Sequence, residues 1–154
     1  MTAEIGTAAP AFTLKDQAGN DVSLHDFSGK SAVALVFYPF TFTGVCEGEL
    51  CQLRDDYSDF AGAGVQVLAV SCDSRHAQRV WAEQQGYTFP VLSDFWPHGA
   101  VAKAYGVFND ALGCAIRATF IIDKAGVLVD EFRTDSLGTA REASRYREAF
   151  AKLA

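Results

Sequence analysis

Residues 31–50, SAVALVFYPFTFTGVCEGEL, decide how this chain folds. Ser31–Tyr38 is nearly all apolar and runs into Pro39. A short run that is apolar at successive positions reads as a central strand buried on both faces. After the turn, Cys46, Leu50, Leu53, Tyr57 and Phe60 recur at three- and four-residue steps, which is one face of a helix. That helix is predicted over Cys46–Ala61, with Gly62-Ala63-Gly64 as its stop.

The pattern continues on both sides. Upstream, Phe12–Lys15 and Val22–Leu24 flank Gln17-Ala18-Gly19-Asn20 and read as a small hairpin. Downstream, Val65–Ser71 is a second buried strand, and Ser74 caps a helix that Gly86 closes after Gln85. Phe89–Leu92 reads as a third strand and Pro97–Tyr105 as a helix ended by Gly106. Cys114–Asp123 and Val127–Arg133 read as a hairpin across Lys124-Ala125-Gly126. Thr139 with Glu142 forms a capping-box signal for a last helix whose apolar stripe is Ala143, Tyr146, Phe150 and Leu153. Strand–helix–strand–helix, then an antiparallel pair and a helix, predicts one α/β domain over residues 1–154. Its central mixed sheet carries helices on both faces.

Composition narrows the function classes. With 154 residues, 49% hydrophobic and 21% charged, the chain is neither disordered, collagenous nor a coiled coil. A domain of this size buries roughly 70% of its unfolded surface and needs no metal or disulfide to fold. A net charge of −6 argues against nucleic acid and against anionic membranes as partners. The run Ala32–Phe40 is too short to span a bilayer, and Met1–Pro10 has no secretory pattern. A reducing cytoplasm is therefore expected. There, the four cysteines are reactive, metal-bound or core residues rather than structural bridges.

The turn Pro39–Cys46 joins the carboxyl end of a buried strand to a helix, the edge where open α/β sheets gather ligands. With Thr43 as N-cap, Cys46 falls in the first helical turn. Free N–H groups and the helix dipole favour a thiolate there. The alternative is a cysteine that serves as a small core hydrophobe.

Pro39, Thr43 and Cys46 form P-x-x-x-T-x-x-C, set in Val36-Phe37-Tyr38-Pro39, Phe42-Thr43, Val45-Cys46 and Glu49. This segment resembles the active site of the peroxiredoxins. Val70-Ser71 with Asp73-Ser74, Phe89–Asp94, Ala104–Val107 and Arg117–Asp123 are similar to further segments of that family in the same order. Ser93–Val101 with Cys46–Leu50 most resembles the small one-cysteine alkyl hydroperoxide reductase E type. The resemblance implies a thioredoxin-like fold and a thiol peroxidase for hydrogen peroxide and organic hydroperoxides, with no cofactor or metal. Cys46 would be the nucleophile. Arg117 and the amides of Val45 and Cys46 would be donors around the peroxide, the Thr43 hydroxyl would accept from one group and donate to another, and Pro39 would be a dry wall. Glu49 lies on the Cys46 face, where a bare carboxylate would oppose the thiolate, so it is expected to orient an arginine. A homodimer is implied by the resemblance alone.

The sulfenic acid left on Cys46 must be reduced by a second thiol. Cys51 departs from the one-cysteine type, and its spacing from Cys46 is similar to the Q-type peroxiredoxins. Helical geometry lets Cys51 reach Cys46 only if the first turns unwind, and Gly48 lowers that cost. Cys72 is a reserve at the same sheet edge. Cys114 is expected in the core, three residues from Arg117 on one strand and so facing the other way. Otherwise thioredoxin, a glutaredoxin-like protein or a low-molecular-weight thiol closes the cycle. Competing readings are a thioredoxin-type disulfide oxidoreductase, which lacks its C-x-x-C here, a peroxide sensor without turnover, and a zinc module using Cys46, Cys51, Cys72 and a histidine.

Overall fold

In the computed structural model, which describes residues 3–134 and 136–153, the apolar run 32–37 is the middle of the sheet. This strand, β3 (Ala32–Phe37), follows the hairpin β1 (Thr13–Lys15) and β2 (Asp21–Ser23). After it come α1 (Gly44–Gly62), β4 (Val65–Ser71), α2 (Arg75–Gln85), β5 (Val91–Ser93) and α3 (Ala100–Ala104). The chain continues through β6 (Phe108–Asn109), β7 (Cys114–Ala115), β8 (Ala118–Ile122), β9 (Leu128–Arg133) and α4 (Ser144–Ala151). Seven strands form one sheet in the order β2-β1-β5-β4-β3-β8-β9. β3, β4 and β5 are parallel, and β1, β8 and β9 join antiparallel. This is the mixed α/β sheet the element order predicts, in the thioredoxin-like form the resemblance implies.

The alternation of β3 divides the core. Ala32, Ala34, Val36 and Tyr38 pack under α1, α2 and α4, with Leu50, Leu53, Trp81 and Tyr146. Val33, Leu35 and Phe37 face the other layer, with Phe12, Ala102, Tyr105 and Phe120. Helices therefore cover both faces, three on one and the short α3 on the other.

Three predicted elements are corrected. Cys114–Asp123 is not one strand: β7 pairs with β6 in a separate two-stranded sheet, and β8 begins only at Ala118. The Ile116 N–H donates to the Val107 carbonyl (2.8 Å), which pulls the chain off the sheet between the two strands. Cys114 and Arg117 are thus not on opposite faces of one strand. The helix expected from Pro97 starts only at Ala100, because Gly99 holds a left-handed φ of 70° and its N–H bonds back to the Asp94 carbonyl. The buried Asp94 carboxylate instead accepts the N–H groups of Val101 (3.1 Å) and Ala102 (2.9 Å). Finally, α4 starts at Ser144 with Ala143 as its N-cap, so Thr139 and Glu142 form no capping box. The backbone at Arg141 is bonded to α1 instead, which leaves residues 139–143 outside the helix.

Candidate active site

The turn after β3 is pinned from below. Pro39 is buried, and the Thr41 N–H donates to the Asp73 carboxylate at 2.8 Å, which also accepts the Ser71 hydroxyl at 2.7 Å. The Gln78 side-chain amide, from α2, donates to that same Ser71 oxygen and to the Leu92 carbonyl. Tyr38 is enclosed, and its hydroxyl pairs with that of Thr41 at 2.9 Å. Burial pushes the Tyr38 phenol up, so it stays protonated.

Thr43 is the N-cap of α1, as its place in the sequence suggests, but its hydroxyl does not cap. It donates to the Phe40 carbonyl at 2.7 Å and closes the turn instead. Phe42, between them, has a φ of 68°, a left-handed conformation that costs of order 1 kcal/mol or more for a residue with a Cβ. The first helical bond runs from the Glu47 N–H to the Thr43 carbonyl (2.8 Å). The N–H groups of Val45 and Cys46 therefore have no acceptor within the helix. Cys46 has no exposed surface.

One turn further on, Glu49 gathers two arginines. Its Oε1 accepts from Arg117 Nη1 (2.7 Å) and Arg141 Nη2 (2.9 Å). Its Oε2 accepts from Arg141 Nε (2.9 Å) and the Arg141 backbone N–H (2.7 Å). Burial alone would raise the Glu49 carboxyl, but the hydrogen bonds and charge of Arg141, helped by Arg117, hold it below the ordinary carboxylate range. Arg117 also donates to the Leu137 carbonyl (2.7 Å), and Arg141 to the Phe37 carbonyl (2.6 Å) at the end of β3. Arg141 is thus tied both to the strand end that leads into the turn and to Glu49, three residues after Cys46 on the same helix. The buried cluster of one carboxylate and two guanidiniums carries net positive charge one helical turn from the buried Cys46.

The structure therefore places Pro39, Thr43, Val45, Cys46 and Glu49 on one turn and the helix it starts, joins Arg117 to Glu49, and adds Arg141. Sequence reasoning missed Arg141 because nothing separates it from Arg133, Arg145 and Arg147 nearby. The available signal was Glu49 itself, since a carboxylate on an apolar helix face has room for more than one cation.

The other cysteines stand apart. Cys51 lies half-buried between α1 and α2, with its sulfur 3.5 Å from Gln85 Oε1 and 3.4 Å from the Tyr87 hydroxyl. Cys72 is buried beside Asp94, and burial followed by that charge pushes its thiol up to about 12. Cys114 is fully buried, and burial raises its thiol too. Cys46, Cys51 and Cys72 do not gather with a histidine into a group of three among the described residues.

A model of the AhpC/TSA family matches residues 5–131. The chain belongs to the AhpC/TSA family, the peroxiredoxins. Alkyl hydroperoxide reductase E of Mycobacterium tuberculosis is 49% identical to this peroxiredoxin over 124 residues, 80% of this chain and 81% of that protein. A chloroplastic peroxiredoxin Q of Sedum lineare is 40% identical over 80% of this chain and 65% of its own length. Among solved structures, peroxidoxin BcpB from Mycobacterium tuberculosis superposes with a TM-score of 0.85 at 30% identity, over 98% of this chain and 96% of that one. This peroxiredoxin is a thiol-dependent peroxidase: a peroxide is its substrate and a thiol its reductant.

Proposed function

We propose that the Cys46 thiolate attacks one oxygen of hydrogen peroxide or an organic hydroperoxide in line with the O–O bond. That bond breaks, and its electron pair stays on the second oxygen, which takes up a proton and leaves as water or an alcohol. Cys46 becomes a sulfenic acid. The observation that carries this reading is a fully buried cysteine in the first turn of α1, one helical turn before a carboxylate that holds two arginines. Charge develops on the leaving oxygen, and Arg117 with the Val45 and Cys46 amides are the donors suited to it. The Thr43 hydroxyl, whose proton is spent on Phe40, keeps lone pairs to accept the peroxide proton. Pro39 offers no N–H and keeps its side of the sulfur dry. Glu49 and Arg141 position Arg117.

The sulfenic acid is then reduced by an external thiol: thioredoxin, a glutaredoxin-like protein or a low-molecular-weight thiol. Cys46 and Cys51 belong to one unbroken helix, in which Cα atoms five residues apart lie about 8.6 Å from each other. That exceeds the ~7 Å a disulfide tolerates. Cys51 would have to leave Gln85 and Tyr87 while two helical turns open. Four free thiols suit a reducing cytoplasm. The exposed apolar side chains of Phe42, Phe95, Trp96 and Leu112 suit a homodimer built through these loops.

One equivalent of hydrogen peroxide followed by peptide mass spectrometry tests both steps. Gain of one oxygen on Cys46 is expected. Loss of two hydrogens with a Cys46–Cys51 peptide would overturn the external-thiol step, and an unmodified Cys46 would overturn the nucleophile.

A further inference from the structure

Behind the Glu49–Arg141 pair, on the side away from the turn, a cavity of about 460 Å³ runs between α1 and α4. Its α1 wall extends from Glu49 to Ala63, about 21 Å along the helix axis. The floor is aromatic: Phe60 packs edge-to-face on Phe150 (4.8 Å between centroids) and tilted on Tyr146 (5.5 Å), with Leu53 beside them. Asp56 and Asp59 line the same cavity from α1. Gln52 uses one Asp56 oxygen (2.8 Å) and leaves the other open. Against these two carboxylates, the one lining cation not already bonded to Glu49 among the described residues is Arg147, so the described lining outside that pair is net negative.

From this geometry we infer that the α1–α4 cavity binds an elongated ammonium amphiphile. Its cationic head lies at Asp56 and Asp59, and its apolar body lies over Phe60, Tyr146 and Phe150. The volume is that of a small-molecule site, and an apolar floor with a few charges on one side is the usual make-up of one. The inner end of the cavity is formed by Glu49 and Arg141, so an occupant touches the groups that hold Arg117. Occupancy is thereby coupled to the rate at which peroxide is consumed. The coupling rests on the proposed role of Arg117; the binding does not.

The test uses 4-phenylbutylammonium, with neutral 4-phenylbutan-1-ol and anionic 4-phenylbutanoate as controls, each followed by NMR of the Phe60, Tyr146 and Phe150 ring signals. For a ligand of this size the ammonium is expected to bind with a Kd of about 0.1–1 mM and both controls several-fold more weakly. Asp56→Asn with Asp59→Asn should erase that preference while leaving peroxide consumption unchanged. Ala143→Trp should fill the cavity and stop all three compounds from binding. Cys46→Ser, silent as a peroxidase, should still bind the ammonium, which separates this site from the reading of the nucleophile. Ring shifts that fail to saturate below about 10 mM, or a carboxylate that binds as tightly as the ammonium, would overturn the site. At saturation the rate with peroxide should change by about twofold or more in the native chain and stay constant in Ala143→Trp. Binding with an unaltered native rate would overturn the coupling.

Discussion

Cys46 and Cys51 stand five residues apart on the same helix and have little else in common. Cys46 is sealed from solvent at the end of α1 where backbone N–H groups lack acceptors, with Arg141 close by. Cys51 is half-exposed in the body of the helix, where backbone amides bond within the helix; its sulfur touches a neutral amide and a phenol, and the one guanidinium that acts on it among the described residues, that of Arg54, is committed to Asp55 and the Gln85 carbonyl. Cys72 is buried as well, and that burial, followed by the charge of Asp94, pushes its thiol up to about 12. What distinguishes Cys46 from both is burial at a helix start, one turn before a carboxylate that holds two guanidiniums.

The comparison can be broken most directly at the sulfur. Cys46→Ser is expected to lower peroxide consumption by about 10³-fold or more, whereas Cys51→Ser should leave it within a small factor when an external thiol is supplied. Equal losses in the two variants would mean that Cys51 takes part in turnover. Next in size, Arg117→Ala removes the donor proposed for the developing charge and should cost about 10²- to 10³-fold in the rate with peroxide. Arg117→Lys should restore only part of it, because an ammonium cannot reproduce the geometry of the guanidinium fork. A rate unchanged in Arg117→Ala would return the work to the helix N-terminus alone.

A third test addresses stability. Glu49→Gln leaves two buried guanidiniums without their anion and should cost about 3–5 kcal/mol in denaturant unfolding. The pH dependence has a definite sign. The Glu49 carboxyl is held below its ordinary value in the fold, so its contribution is complete above the ordinary carboxylate range of about 4.3. It is lost as pH falls through the depressed folded value, and the Gln variant should show a shallower loss towards acid. The smallest effect concerns labelling at pH 8. Cys72 should stay unalkylated while Cys51 reacts, and prompt modification of Cys72 in the folded chain would mean that its burial is not maintained.

Local signals made much of this legible. The unbroken apolar run before Pro39 and the three–four spacing after Thr43 placed β3 and α1, and with them Cys46. The role of Glu49 as an orienter of arginine followed from charge logic on one helix face. The late start of α3 is local, set by the left-handed Gly99, and the other two misreadings are tertiary. Cys114–Asp123 is continuous in its apolarity, and only the bond from Ile116 to Val107 shows where the chain leaves the sheet. Thr139 and Glu142 carry a valid local helix-start signal, overridden because Arg141 is drawn to a carboxylate on another helix. Arg141 itself was invisible for the same reason: its partner lies 92 residues away.

That separation has a consequence for how the protein comes into being. Pairing β3 with β8 closes loops nearly as long, but Arg141 also lies beyond β9, on a segment that no strand pairing fixes. The sheet and α1 can therefore assemble before that segment docks, while Glu49 still waits for its second arginine. A folding intermediate would carry the thiol but not the finished charge cluster, and the protein would acquire its peroxidase chemistry only in the last stage of folding. Refolding followed in parallel by sheet circular dichroism and by the peroxide reactivity of Cys46 should show the second signal lagging the first. Simultaneous recovery would mean that the helix start alone activates the sulfur.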